Sequence, residues 1–392
     1  MRSGGACSWR GGGGSPRRIP TAPRPRGKTT RRGAPGLTRM FEHLHSWENL
    51  LLAYRRAAAG KRGRSAAAGF EHRLEDNLLS LQDELASKRY RPGAYISFSI
   101  HEPKRRRISA APFRDRVVHH ALCNLIEPVF ERGFIFDSYA NRVGKGTHRA
   151  LDRCQQFARR YRYCLQLDVE QFFPAIDHAI LRRILARKIE DEDVLWLIDR
   201  IIASGVGVLD RDYDMRWFSG DTPNALLRPR GLPIGNLTSQ LCANCHLDPL
   251  DHYITRGLGC GAYLRYVDDL CLFGDDMREL RAWHAAIVQR LAALRLTLHP
   301  GAHPRPVDEG LPFLGFVIFP ERRRLKRRKG VYFQRKFSER LCAYAAGELA
   351  LDDVTTGVQG WINHVRYGNT IGLRKSVFAR RMIPRGRSEH QR

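Results

Sequence analysis

Tyr263-Leu264-Arg265-Tyr266-Val267-Asp268-Asp269-Leu270-Cys271-Leu272-Phe273 sets two adjacent carboxylates between two short runs that alternate in polarity. That pattern predicts a β-hairpin with a pair of acids at its tip. Two neighbouring carboxylates repel each other unless a cation stands between them. The pair therefore suits divalent ions that activate a hydroxyl and stabilise a leaving phosphate better than it suits packing. An aromatic-x-Asp-Asp match is weak evidence by itself, and its companions in the chain decide its meaning.

The 392 residues carry 67 Lys and Arg against 40 Asp and Glu, a formal charge of +27. The chain is long enough for two or three subdomains with a sizeable core. Residues 1–39 hold nine Arg, Lys28 and no acid, and residues 321–336 hold nine basic residues against Glu321. So uneven a surplus favours a polyanionic partner, with nucleic acid first. No apolar run approaches the ~18 residues of a membrane span, and no apolar h-region follows the basic N-terminus. The sequence therefore predicts a cytoplasmic protein with no membrane partner, with an organelle transit peptide as the alternative reading of the acid-poor, Arg-rich leader. Nine irregularly spaced Cys fit reduced thiols rather than a disulfide framework.

Residues 1–39, built of Gly, Pro and Arg, read as a disordered basic tail, and Met40 as the expected translational start. Helices are expected over Ser46 to Ala59 and, from the spacing of Phe70, Leu74, Leu78, Leu81 and Leu85, over a second continuous stretch. Ala94, Ile96, Phe98 and Ile100 alternate with polar residues as in a strand. The turn Lys104-Arg105-Arg106-Arg107 precedes a helix over about 114–131. Tyr163 to Asp168 reads as a buried strand ending on an acid, and Ile180 to Ile202 as largely helical. Residues 205–230 read as a long loop, Thr238 to Tyr253 as a helix, and 277–294 as another. Phe313-Leu314-Gly315-Phe316 reads as a short strand, and the last sixty residues as small helices.

Three elements fit one site. Leu165-Gln166-Leu167-Asp168 puts a carboxylate at a strand end, a hundred residues before Asp268-Asp269. Two-metal phosphoryl transfer needs acids from separate elements converging on ions ~3.5–4 Å apart. Lys104 and Arg106 offer ammonium and guanidinium donors to a triphosphate. Gly231-Leu232-Pro233-Ile234-Gly235-Asn236 exposes its backbone, so that a base pair can approach the main chain closely.

The order of motifs over about residues 45–378 resembles bacterial reverse transcriptases. Phe136-Asp137-Ser138-Tyr139-Ala140-Asn141-Arg142 resembles the second block of that family, and Asp168 through Phe173 its first catalytic block. Tyr266-Val267-Asp268-Asp269 resembles the polymerase box, and Phe313-Leu314-Gly315 the primer grip. The resemblance implies an α+β right-hand architecture: a helical extension over 40–93, fingers and palm over 94–320, and a basic hairpin and helical thumb over 321–385. It implies RNA-directed DNA polymerisation, with template RNA, an RNA–DNA duplex and dNTPs as partners. It also implies two Mg²⁺ ions (Mn²⁺ as substitute) at Asp168, the Val169 carbonyl, Asp268 and Asp269, and a nucleotide-side contact at Arg142. Phe173 matches the family's aromatic steric gate, where a ring under the sugar clashes with a ribose 2′-hydroxyl; a core Phe beside Phe172 is the alternative.

Most reverse transcriptases carry Gln before the glycine of the template-proximal loop and Ser-Pro after it. Here the residues are Ile234-Gly235 and Ser239-Gln240. This replacement resembles the enzymes of diversity-generating retroelements, which copy an RNA template with frequent errors opposite adenine. That subtype implies a small basic helical accessory protein as a further partner. Other cellular types, group II intron-derived, retron-like or antiphage, stay open, as does a non-catalytic maturase-like RNA binder. Only 14 residues follow Phe378, which is short of the maturase and nuclease regions expected in an intron enzyme. The family's Lys after the hairpin helix is missing; His303 in Leu298-His299-Pro300-Gly301-Ala302-His303 is the nearest match and a candidate general acid, or a loop His without a role. Cys242-Ala243-Asn244-Cys245-His246 satisfies a haem-attachment pattern but reads better as small buried thiols. The basic run Arg322 to Lys329 is expected to contact nucleic-acid backbone, and Trp361 to lie in the core.

Overall fold

Side-chain caps decide where several helices begin. In the computed structural model, which describes residues 40–100 and 106–379, Ser46 accepts from the Asn49 N–H and opens Trp47–Ala58. Asp177 opens His178–Leu185. Asp191 accepts from Asp193 and Val194 and opens Glu192–Ala203. Each such cap is worth about 1 kcal/mol. The second carboxylate oxygen of Asp191 also accepts the Phe41 N–H at 2.9 Å, which ties the first helix to the body. The expected tail over 1–39 and the candidate Lys104 lie outside the described residues.

Nine strands form three sheets among the described residues. Strands β1 (Ile96–Ile100) and β2 (Arg106–Ala110) form a hairpin. The central sheet holds β3 (Tyr163–Asp168), β4 (Tyr263–Tyr266), β5 (Asp269–Gly274) and β6 (Arg305–Pro306) in the order β4-β5-β3-β6. A third sheet orders β7 (Leu311–Phe313), β8 (Phe316–Ile318) and β9 (Arg323–Leu325).

The central sheet is covered on both faces, which is why β3 and β5 are almost continuously apolar. Leu165, Leu167, Leu270, Leu272 and Tyr263 join the large core around the helices Phe113–Glu131 and Leu237–His252. Cys164, Leu264, Cys271 and Phe273 point the other way, into a core with Leu151, Cys154 and Phe157 of the helix Thr147–Arg160. A small third cluster around Phe337, Leu341 and Val354 joins the C-terminal helices Arg327–Ala345, Leu351–Val365 and Ile371–Phe378. There Trp361 is partly buried and stacks on Phe333 with 3.9 Å between ring centres.

Two expectations need correction, the continuous helix and the strand through Leu314. The single helix through Phe70 and Leu85 is broken at Arg73 into Ser65–His72 and Leu74–Ala86, although its apolar stripe still packs on the core. Strand β1 forms as expected, and its Ile96, Phe98 and Ile100 side chains are all exposed. Leu314-Gly315 is not strand but the turn between β7 and β8; both residues have positive φ, 44° and 91°, as a tight two-residue hairpin requires. The stretch Ile180 to Ile202 is largely helical as expected, as two helices separated before the Asp191 cap. No helix among the described residues is long and apolar enough to cross a membrane.

Candidate active site at the end of the central sheet

Strand pairing gathers the acids. The β3–β5 ladder runs from Tyr163 opposite Gly274 to Asp168 opposite Asp269, so two carboxylates face each other as its last pair. Asp268 lies one residue earlier, in the turn between β4 and β5. Its carbonyl accepts the Val169 N–H at 3.2 Å, which locks the turn onto the chain just beyond β3. From the other side the His299 N–H donates to the Asp168 carbonyl at 2.9 Å, and the Glu170 N–H to Thr297 at 2.8 Å. The imidazole Nε2 of His299 stands 3.9 Å from the Asp168 carboxylate.

The turn itself is strained. Val267 has φ +58°, a left-handed conformation that a β-branched side chain rarely adopts. It is held by Arg265, whose Nη1 donates to the Val267 carbonyl at 3.0 Å. Next to it, the hydroxyl of Tyr266 is 3.0 Å from Thr147 Oγ1.

The glycine loop is laced to β2. The Ser109 N–H donates to the Ile234 carbonyl at 2.8 Å, and the Asn236 amide bridges the Ala111 N–H and the Ser109 carbonyl. Gly235 is exposed with φ +114°, and a Cβ there would meet Ile108 Cγ2 at 2.8 Å. Phe173 is half-buried, packs edge-on against Phe172 at 5.5 Å, and accepts the Leu232 N–H at its carbonyl. Phe173, five residues after Asp168, is thus joined through its backbone to the chain that leads to Gly235.

A family profile described as reverse transcriptase (RNA-dependent DNA polymerase) matches residues 100–317, more than half of the chain, and spans both acidic elements and this loop. The chain belongs to the reverse transcriptase family. This reverse transcriptase is 26% identical over 298 residues to Protein YkfC of Escherichia coli, a match covering 64% of this chain and 74% of YkfC. It is 24% identical over 226 residues to the group II intron-encoded protein LtrA of Lactococcus lactis subsp. cremoris, covering 56% of this chain and 35% of LtrA. With nuclear intron maturase 2, mitochondrial, of Arabidopsis thaliana it shares 24% identity over 186 residues, 43% of this chain and 25% of that protein. The chain therefore spans about three quarters of YkfC but only about a third or less of the two intron proteins.

Other expected site residues of the reverse transcriptase fare differently. Arg142 is turned inward: its guanidinium binds both Glu131 oxygens and the carbonyls of Ile135 and Ser138, so it braces the loop instead of reaching toward a nucleotide. His303 is exposed, with Nδ1 at 2.8 Å from the Gly301 carbonyl of its own loop; it is His299 that stands beside Asp168. Arg106 begins β2 opposite Ile100. Cys242, Cys245 and His246 are all buried, and burial pushes the Cys242 thiol up to about 12 and the His246 imidazole down to about 4.

The structural roles of three residues were not read from the sequence. Lys326 donates its N–H to the Gly315 carbonyl and is partly buried; that burial depresses its ammonium, while Asp269 pulls in the opposite direction. The basic run therefore starts at the third sheet, with Arg323 in β9 and Arg327 opening the following helix. The others are Asn236 and Arg265. Arg265 had a visible signal, as the one charge inside the apolar flank of the hairpin.

The oxygen donors at the sheet end suit hard divalent cations such as Mg²⁺ or Mn²⁺: three carboxylates beside a main-chain turn, with Asp168 half-exposed. Among the described residues, no three His, Cys, Asp or Glu side chains close into a metal cage. The register aligns the acids on one end of the sheet; it does not wrap them around a point.

Proposed function

We propose that this reverse transcriptase copies an RNA template into DNA by two-metal nucleotidyl transfer at Asp168, Asp268 and Asp269, with the Val169 carbonyl as a further ligand. The observation that carries this reading is the final rung of the β3–β5 ladder, which sets Asp168 against Asp269 while the Asp268 carbonyl is fixed to Val169. Bound there, divalent ions would neutralise charge on an attacking hydroxyl and a departing pyrophosphate. The chain itself supplies orientation. The Gly235 loop offers backbone to a template–nucleotide pair, and the Phe173 ring lies beneath the sugar position to select deoxynucleotides. In this reading the central sheet is the palm, the β1–β2 hairpin and its neighbouring helices the fingers, and the helices after Lys326 the thumb.

The finer reading is lowered fidelity of the diversity-generating kind, supported by Ile234 before Gly235. An apolar side chain cannot donate the hydrogen bonds that Gln would offer near the nascent pair. The small basic accessory protein belongs to this subtype. A second reading, an intron-related enzyme, is favoured by the similarity to LtrA and the nuclear maturase. Primer extension on RNA with Mg²⁺, beside an Asp268→Asn control, tests the polymerase. Sequencing the cDNA separates the two readings: errors concentrated opposite adenine, and reduced by Ile234→Gln, support the first; uniform low error supports the second.

A further inference from the structure

Arg265 is the largest fully buried side chain of the described residues, 1% exposed, inside a strand that otherwise packs Tyr and Leu. Its charge is met by Asp251, itself wholly buried, through Nε at 2.8 and 3.0 Å and Nη2 at 2.7 Å. The Tyr263 hydroxyl donates to the same carboxylate at 2.7 Å. The remaining nitrogen, Nη1, reaches Asn244 Oδ1 at 3.1 Å and the Val267 carbonyl at 3.0 Å. The Arg265 main chain is equally engaged: its N–H donates to Asp137 and its carbonyl accepts from Tyr139.

A buried ion pair is no better for stability than well-packed apolar residues of the same volume, because both charges lose their hydration. What a guanidinium adds is direction: a planar fork can hold a carboxylate on one edge and a carbonyl on another. Here the second edge falls on the residue whose φ of +58° turns the chain into Asp268. Asp251 sits near the end of the helix Leu237–His252, whose other end opens from the Gly235 loop. One rigid helix thus connects that loop to the anchor of the acidic turn.

We propose that Arg265 is a positioning residue of the catalytic hairpin: clamped by Asp251, it fixes the Val267 carbonyl and so holds the left-handed turn that presents Asp268 and Asp269 to Asp168. This rests on the polymerase reading above, and the test keeps the two apart. The full chain is compared with Arg265→Lys, Arg265→Lys/Val267→Gly, Asn244→Ala and Asp268→Asn, by thermal melting without metal, by Mn²⁺ titration followed by electron paramagnetic resonance, and by primer extension. Lysine keeps the charge beside Asp251 but cannot span to Val267. Arg265→Lys is expected to bind Mn²⁺ at least fivefold more weakly and to lose at least tenfold in kcat, with KM for dNTP within twofold. Glycine at 267 adopts the turn without a clamp, so the double variant should recover threefold or more in kcat and in Mn²⁺ affinity. Asn244→Ala should shift both in the same direction by about threefold, and it carries the test if Arg265→Lys does not fold.

A lowered melting temperature with unchanged Mn²⁺ affinity and kcat would make Arg265 a core residue only and overturn the proposal. So would a double variant no better than Arg265→Lys. If the wild-type chain extends no primer, the polymerase reading fails while Mn²⁺ affinity still decides the role of Arg265. If Asp268→Asn abolishes synthesis and the Arg265 and Asn244 variants do not slow it, the polymerase stands and the clamp falls.

Discussion

Asp168 and Asp269 are direct cross-strand partners, the last rung of the ladder between β3 and β5. Like charges placed opposite each other in a sheet are destabilising by roughly 0.2–1 kcal/mol. Evolution of a stable sheet alone would not keep them there. Asp168→Asn and Asp269→Asn are therefore expected to melt at the same temperature as the wild type or slightly higher in EDTA. Both should lose about 10²–10³-fold in primer extension, the scale on which removing a transition-state stabiliser acts. The Mg²⁺-induced rise in melting temperature should shrink in the same variants. A melting temperature that drops by several degrees in EDTA would show that the pair is structural.

Phe173 lies between Phe172 and the chain that leads to Gly235, with its carbonyl fixed by Leu232. Truncation to Val leaves that backbone bond in place and removes the ring. Ribonucleotide incorporation relative to deoxynucleotide should rise by roughly 10–200-fold, the range open to a purely steric discrimination. Competition between rATP and dATP on one primed template measures it. An unchanged ratio with a lower melting temperature would return Phe173 to the core.

His303 is exposed and bonded within its own loop, whereas His299 is tied to Asp168 through its backbone. His303→Ala should leave single-turnover kcat within about twofold, against the 10²–10⁴-fold of a true general acid. His299→Ala should be the more damaging of the two. Reversal of that order would restore His303 to the chemistry.

Two buried histidines make stability depend on pH. Burial lowers the imidazole of His119 to about 3 and that of His246 to about 4, from an ordinary value of 6.5. The unfolded chain therefore binds more protons than the folded one between pH 6.5 and 4. Their contribution is complete above pH 6.5 and is lost as pH falls toward the folded-state values. Between pH 6.5 and 5 the loss is about 2 kcal/mol for each. Denaturant melts at pH 7.5 and 5.0 should show it, and His246→Met should roughly halve the difference. Equal stability at both pH values in the wild type would mean that neither imidazole is held neutral.

Local chemistry was legible in the chain. The alternation around Asp268-Asp269, the apolar run into Asp168, and the helix from Ser46 are nearest-neighbour properties, fixed by pleat, period and side-chain reach. So strands β3 to β5 and the position of the three acids at strand ends followed from sequence, and the family resemblance was borne out over residues 100–317. What the chain alone did not reveal depends on partners far away in sequence. The internal locking of Arg142 needs Glu131 folded back on it, and the placement of Lys326 needs the Gly315 turn. Arg265 marks the boundary most clearly. The sequence places a charge in the apolar flank of the hairpin, but only the tertiary structure supplied Asp251 and the Val267 carbonyl that explain it. A buried charge has meaning only through the groups that replace its water, and those are chosen by the fold.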